Sequence, residues 1–271
     1  MKLGIIIDSS TGISKSEAEK LGFGYLPLFL TIDGKEYKDG IDLSIEEYYK
    51  LLTDESEVRT SATPPGLTEE VFKDFSKKFD HIIVLPLSQN LSSQMQNLNM
   101  IANDFDNVHI ISSMSVGPLI KNQALSIVDF AKDKDDIDKV IAYGNKISQS
   151  TYGIVVPQNL KFLVKGGRVG PKAAAMADML KICPLIEYRD GGLESIGKGR
   201  TFSKTVQKAA LKVIGNDKES NYYIYNANSE YAKDLKEFIE SQGVKVTIVE
   251  FPPVITNHTG PGALGIIKYK D

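Results

Sequence analysis

Serine and threonine side chains carry most of the chemistry this sequence offers, and one cluster stands out. Leu85–Gln96 reads LPLSQNLSSQMQ. The apolar run His81–Leu87 predicts a buried strand that ends in Ser88, and Ser92-Ser93 precede Met95, Leu98, Ala102 and Phe105 at helical spacing. A serine at a helix N-cap brings its hydroxyl, free backbone N–H groups and the positive end of the helix dipole into one small space. A carboxylate or a phosphate suits such a space.

Other chemistries lack their parts. There is no GxSxG elbow, and no His and Asp can be assigned as triad partners of Ser92. GxxxxGK[ST] and GxGxxG are both absent, and Gly197-Lys198-Gly199-Arg200 matches neither phosphate loop. The single cysteine, Cys183, excludes a disulfide framework and reads as a small core residue. His81, His109 and His258 lie far apart with no ligand-type spacing, so no metal is expected. What remains is a site rich in neutral hydroxyl donors and poor in general bases, which is the profile of a binding pocket more than of a reaction centre.

Composition narrows the partners. A net charge of −3 over 271 residues gives no electrostatic case for nucleic acid or an anionic membrane surface. No apolar stretch approaches the ~20 residues needed to cross a bilayer. Met1-Lys2 leads straight into Leu3–Ile7, which reads as a strand and not as a signal peptide. The expectation is a soluble, cytoplasmic protein without an integral membrane segment.

The elements that must position the serines follow from pattern. Three segments share one layout of apolar strand, hydroxyl-rich turn and helix start: Leu3–Ile7 into Asp8-Ser9-Ser10-Thr11, His81–Leu87 into Ser88…Ser92-Ser93, and Val108–Ile111 into Ser112-Ser113-Met114-Ser115. Strands alternating with helices imply a parallel sheet, so all three hydroxyl clusters should line its carboxyl rim. Between the first two, Asp33-Gly34 predicts a hairpin and Ser44…Glu47 a capping box. Arg59–Gly66 reads as a hydroxyl-rich, proline-stiffened loop ahead of a helix through Val71, Phe72 and Phe75, and Lys132–Asp136 as a charged surface turn.

Further on, a strand is expected at Tyr152–Val156, and a helix at Leu160–Val164 stopped by Gly166-Gly167. A hairpin turns at Asp190-Gly191-Gly192 between Ile182–Arg189 and Leu193–Gly197. A helix from Thr201 to about Ile214, a strand Tyr222–Tyr225, a helix Glu230–Ser241 and a strand Val244–Phe251 lead to the closing segment His258–Gly265. The fold class is α/β in two domains. Residues 1–150 form an N-terminal parallel-sheet, Rossmann-like βα domain with the hydroxyl rim, and residues 151–271 a C-terminal α/β domain with a mixed or antiparallel sheet.

The motifs, in order and spacing, resemble those of the DegV family of bacterial fatty-acid-binding proteins, with its EDD fold. Asp8-Ser9-Ser10-Thr11 is similar to the family's opening DS[TS]. Thr60-Ser61 with Pro64-Pro65-Gly66 resembles its TSQPSPG, Ala62 and Thr63 replacing Gln and Pro. Leu91-Ser92-Ser93-Gln94 aligns with LSGT, with Ser93 and Gln94 where Gly and Thr are common, and Ser112 stands in place of an Asp. Phe162–Arg168 matches LxKGGR, and His258–Gly262 matches HxGPG.

The resemblance implies that Thr60 and Ser92 hold the carboxylate of a long-chain fatty acid such as palmitate, stearate or oleate, with Ser61 and Ser93 as helpers. It implies that the ligand is presented to a separate fatty acid kinase subunit, which phosphorylates the carboxylate to an acyl phosphate. Arg168, Arg200 and His258 are then expected near the mouth, where they neutralise charge during transfer. No cofactor and no catalysis by this chain itself are implied. Ala173–Met176 with Met179 and Leu180 are candidates for lining an acyl tunnel in the C-terminal domain, or for plain helix packing.

Taken singly, each residue has a plainer role. Ser92 serves as a helix cap, Thr60 as a turn residue, Arg168 as a cap on helix carbonyls, and His258 as part of a turn. Arg200 opens a helix, where a cation is slightly unfavourable, and this favours a functional role. A serine-dependent acyl hydrolase and a binding module for another amphipathic carboxylate stand as the alternatives.

Overall fold

A computed structural model describes residues 1–53, 55–149, 151–158, 160–168 and 182–269. Its contacts fall into two units: residues 1–149 with Pro252–Val254, and 150–251 with 255–271.

In the first unit the chain runs through β1 (Leu3–Asp8), α1 (Lys15–Lys20), β2 (Gly24–Leu26), β3 (Phe29–Ile32), β4 (Lys35–Lys38), α2 (Ile45–Leu51), β5 (Val58–Ser61) and α3 (Pro65–Ser76). It continues through β6 (His81–Leu85), α4 (Gln94–Ala102), β7 (Val108–Ile110), α5 (Leu119–Ala131) and α6 (Ile137–Ile147). Strands β2-β1-β6-β7 form a fully parallel sheet in register Ile6↔Gly24, Ile6↔Val84 and Val84↔Ile110. One face buries Ile6, Val84 and Leu26 against Phe72 of α3 and Leu98 of α4. With every strand pointing the same way, the turns after β1, β6 and β7 share one rim, as the sequence predicts.

Strands β4-β3-β5 form a separate antiparallel sheet. Pro27, without an N–H for a ladder, separates β2 from β3, so the apolar run Tyr25–Ile32 serves two sheets. Asp33 and Gly34 close the β3–β4 hairpin with φ of 49° and 81°. Ser44 and Glu47 form the expected capping box, and Ser14 and Glu17 form a second one. Thr60 and Ser61 lie not in a loop but on β5, where Leu30 pairs with Thr60 and Phe29 with Ser61. A hydroxyl-rich run can form a strand when a neighbouring strand supplies the ladder, and that partner is distant in sequence.

The second unit is built from β8 (Thr151–Val156), α7 (Leu160–Gly166), β9 (Cys183–Arg189), β10 (Gly192–Gly199), α8 (Phe202–Ile214), β11 (Asn221–Asn226), α9 (Ala232–Ser241), β12 (Val246–Glu250) and β13 (Leu264–Tyr269), and from Ile255 onward it includes α10 (Pro253–Thr259). The sheet order is β10-β9-β8-β13-β11-β12, antiparallel except where β11 and β12 run together. Its core packs Ile154, Val156, Ile224 and Ile266 against Val206 and Ala210 of α8 and Leu235 of α9. Leu264–Tyr269 forms a central strand that pairs on both sides. Cys183 is half-buried against this core, and burial pushes its thiol pKa up. The Ala- and Met-rich segment 173–180 lies outside the described residues. Among the described residues no helix is long and apolar enough to cross a membrane, and no group of three or more His, Cys, Asp or Glu is placed to hold a metal ion.

Candidate functional site

The three hydroxyl clusters on the rim differ in what their side chains already do. Asp8, at the end of β1, is fully buried, and its Oδ2 accepts the Leu87 N–H at 2.8 Å while Oδ1 accepts the Ser10 N–H and hydroxyl. Ser9 Oγ accepts the Leu28 N–H, and Thr11 Oγ1 donates to the Asp8 carbonyl. This cluster turns inward and ties β1 to the turn after β6 and to the start of β3. Desolvation raises the Asp8 carboxyl pKa to about 6, against the lowering effect of its hydrogen bonds.

The cluster after β7 is also engaged. Ser113 Oγ accepts the Ser115 N–H, Ser115 Oγ donates to the Ser148 carbonyl, and Gln123 Nε2 donates to Ser115 Oγ. Backbone bonds from Ser88 N–H to Ser115 O and from Gln89 N–H to Ser113 O fasten it to the neighbouring turn. Ser112, the departure from an Asp, is held through its N–H on Asn145 Oδ1.

In the middle cluster Ser88 is buried, its Oγ accepting the Asn90 N–H, while Ser92 and Ser93 face outward. Ser92 is half-buried and Ser93 exposed, and both line an open groove of about 690 Å³ with Met95, Asn99 and Met100. Ser93 is the residue before α4 but has helical angles and makes no capping bond with its side chain. Ser92 does that work one residue earlier, its Oγ accepting the Gln94 N–H at 3.1 Å. Among the described residues no acceptor takes the Ser92 hydroxyl proton, so this hydroxyl can donate. Beyond the Gln94 N–H spent on Ser92, the first turn of α4 holds further N–H groups with no partner within the helix.

The Thr60 strand and the Ser92 turn meet at a pair of residues far apart in the sequence. The Thr63 N–H donates to Gln94 Oε1 at 3.0 Å, and Gln94 Nε2 donates to Thr63 Oγ1 at 2.9 Å. Thr63 Oγ1 donates in turn to the Pro27 carbonyl at 2.9 Å. Both residues are buried, at 2% and 0% exposure. Sequence reasoning missed them, because neither residue type signals a partner 31 positions away. Thr60 is half-buried and Ser61 exposed.

In the second unit the LVKGGR and HTGPG segments interlock. Gly167 ends α7 in the left-handed region, φ 64°, and Arg168 Nη1 donates to the Gly166 carbonyl at 2.7 Å. Arg168 thus caps helix carbonyls, the plainer of its expected roles. His258, in the last turn of α10, packs its Nδ1 on Gly166, where any Cβ would collide with the ring. Gly260 follows with φ 78°, and a Cβ there would lie 2.8 Å from the Phe162 ring. Burial, helped by the nearby Arg168 charge, lowers the His258 pKa to about 4 and keeps the ring neutral. Arg200 is exposed, between β10 and α8, and among the described residues no hydrogen bond or ion pair joins it to Arg168 or His258. The structure therefore brings Arg168 and His258 together at Gly166.

A model of the family described as "Uncharacterised protein, DegV family" matches residues 2–271. The chain belongs to the DegV family. It is 36% identical over 275 residues to a DegV domain-containing protein of Mycoplasmopsis pulmonis, a match covering 100% of this chain and 96% of the relative. Its fold is similar to that of a fatty acid binding DegV family protein from Streptococcus agalactiae, with a TM-score of 0.89, 24% identity and full coverage of both chains. A DegV family protein from Thermus thermophilus described for fatty acid binding gives a TM-score of 0.87 at 21% identity, again over both whole chains. In this DegV protein Asp8, Ser10, Ser113 and Ser115 build the rim, while Ser92 keeps a hydroxyl proton that no described residue accepts.

Proposed function

We propose that this DegV protein binds a long-chain fatty acid through its carboxylate, held by Thr60 and Ser92 with Ser61 and Ser93 beside them. The observation that carries this reading is the outward Ser92 hydroxyl at the start of α4, oriented as a donor by the Gln94 N–H and linked through the Gln94 side chain to the segment following Thr60. The fatty acid binding described for the Streptococcus agalactiae and Thermus thermophilus proteins supports it. An acyl chain buried at ~0.8 kcal/mol per methylene gains roughly 11 kcal/mol over about fourteen methylenes, before the costs of association. Each hydroxyl bond to the carboxylate adds about 1.5–3 kcal/mol and mainly sets direction.

The protein then presents the carboxylate to a kinase subunit that forms the acyl phosphate, and Arg168, Arg200 and His258 support that transfer. His258 held neutral can accept or donate a hydrogen bond without adding charge, and the two arginines supply the charge. Native mass spectrometry of lipid copurifying with the protein tests the first step, with a fatty acid expected at one per chain. Protein that carries no lipid and gains none from added oleate would refute the reading. Turnover of an acyl ester with a covalent adduct on Ser92 would replace it by hydrolysis.

A further inference from the structure

Fatty-acid binding by Thr60 and Ser92 requires something to fix the distance between these two arms of the headgroup site. Thr63 stands three residues after Thr60, and Gln94 two residues after Ser92. They lie 31 residues apart in sequence and bond to each other from both sides. The pair thus ties the segment after Thr60 to the turn that carries Ser92.

The bonds run in a single direction. The Thr63 backbone N–H can only donate, which sets Gln94 Oε1 toward it and leaves Nε2 to donate to Thr63 Oγ1, whose own proton goes to the Pro27 carbonyl. At 0% and 2% exposure no water substitutes for these partners, so removing one leaves the other buried and unsatisfied. The backbone of Gln94 meanwhile donates to Ser92 Oγ. One residue therefore orients the Ser92 hydroxyl with its N–H and anchors, with its side chain, the segment three residues beyond Thr60.

We infer that Thr63 and Gln94 form a latch that sets the spacing of Thr60 and Ser92, and that this spacing is what selects a carboxylate headgroup. Both are positioning residues that do not themselves touch the ligand. The inference rests on the fatty-acid reading.

The test compares affinity for oleate with affinity for oleyl alcohol, which has the same chain and no carboxylate. In Gln94→Met and in Thr63→Val the oleate-to-alcohol preference should fall about tenfold or more, the size of one hydrogen bond to a charged group, while alcohol binding stays within about twofold. The double variant should lose no more than either single one, because the pair acts as a unit. Gln94→Glu, which keeps an acceptor for the Thr63 N–H but loses the donor to Thr63 Oγ1, should fall between wild type and Gln94→Met. A lowered melting temperature with unchanged preference would make the pair merely structural and overturn the proposal, as would additive losses. If Gln94→Met fails to fold, Thr63→Val, which keeps the backbone bond, decides by the same ratio. Thr60→Val and Ser92→Ala serve as controls. If they lower the preference and the latch variants do not, only the latch fails; if wild type shows no preference for oleate, the headgroup reading fails and the latch with it.

Discussion

The imidazole of His258 lies directly on the Cα of Gly166, so that the HTGPG and LVKGGR segments meet at a residue with no side chain. Arg168 reaches back over the same glycine to its carbonyl. The glycine thus serves a packing purpose distinct from the turn geometry supplied by Gly167.

Gly166→Ala should displace the His258 ring, because a methyl group there has no space. Overpacking of this kind costs about 1–3 kcal/mol. Chemical denaturation should show the loss, and Gly167→Ala should lose stability for another reason, its φ of 64°. A Gly166→Ala variant as stable as wild type would argue against the contact.

His258 should remain neutral across the range in which an ordinary histidine titrates. Its folded pKa of about 4 lies below the usual 6.5, so the stability it contributes is present above pH 6.5 and is lost as pH falls toward 4. Nitrogen-15 NMR of the ring at pH 5.5 should give neutral-imidazole shifts. The stability difference between wild type and His258→Gln should shrink on acidification through that window. An imidazolium signal at pH 5.5 would contradict the buried, Arg168-facing environment.

Asp39 predicts the opposite slope. It is 2% exposed, its Oδ2 has no hydrogen-bond partner among the described residues, and desolvation raises its pKa from 3.8 to about 7, with the nearby Asp8 charge adding to the rise. The stability it contributes is present below pH 4 and is lost as pH rises through 7, on the order of 1 kcal/mol for every pH step of one across that window. Asp39→Asn should therefore gain on wild type between pH 4 and 7 when the two are unfolded in parallel. A pH-independent difference would place the charge elsewhere.

At the headgroup site, Ser92→Ala and Thr60→Val should each weaken oleate binding about tenfold or more by calorimetry, as the loss of one hydrogen bond to a charged group requires. Ser93→Ala should weaken it less, since Ser93 is exposed and makes no capping bond. Equal effects at all three positions would mean the hydroxyls are interchangeable and the geometry of Ser92 irrelevant.

Arg168→Ala, Arg200→Ala and His258→Gln should leave oleate affinity near wild type and lower acyl-phosphate formation in the presence of a partner kinase. Arg168→Ala should also cost about 0.3–1 kcal/mol of stability, because it removes the cation at the end of α7. Loss of binding in these variants would reverse the division of labour between the residues.

Local chemistry in this chain is legible without a structure. Asp33-Gly34 and Asp190-Gly191 adopt the positive φ angles that hairpins of this kind need, and Ser44 caps with Glu47, because each of these devices involves residues a few positions apart. The shared rim of the three hydroxyl clusters follows from strand–helix alternation alone, and the motifs place the chain in its family.

The division of labour among the hydroxyls needed the fold. Ser9 and Ser115 read like Ser92 in the sequence, and only burial and partners distant in the chain assign them to scaffolding. Thr60 reads as a loop residue because the β3 strand that pairs with it lies some thirty residues upstream. Thr63 and Gln94 read as two unrelated departures from a pattern. A hydrogen bond is a relation in space, and a linear sequence records the donors and acceptors but not which of them are brought within about 3 Å of each other.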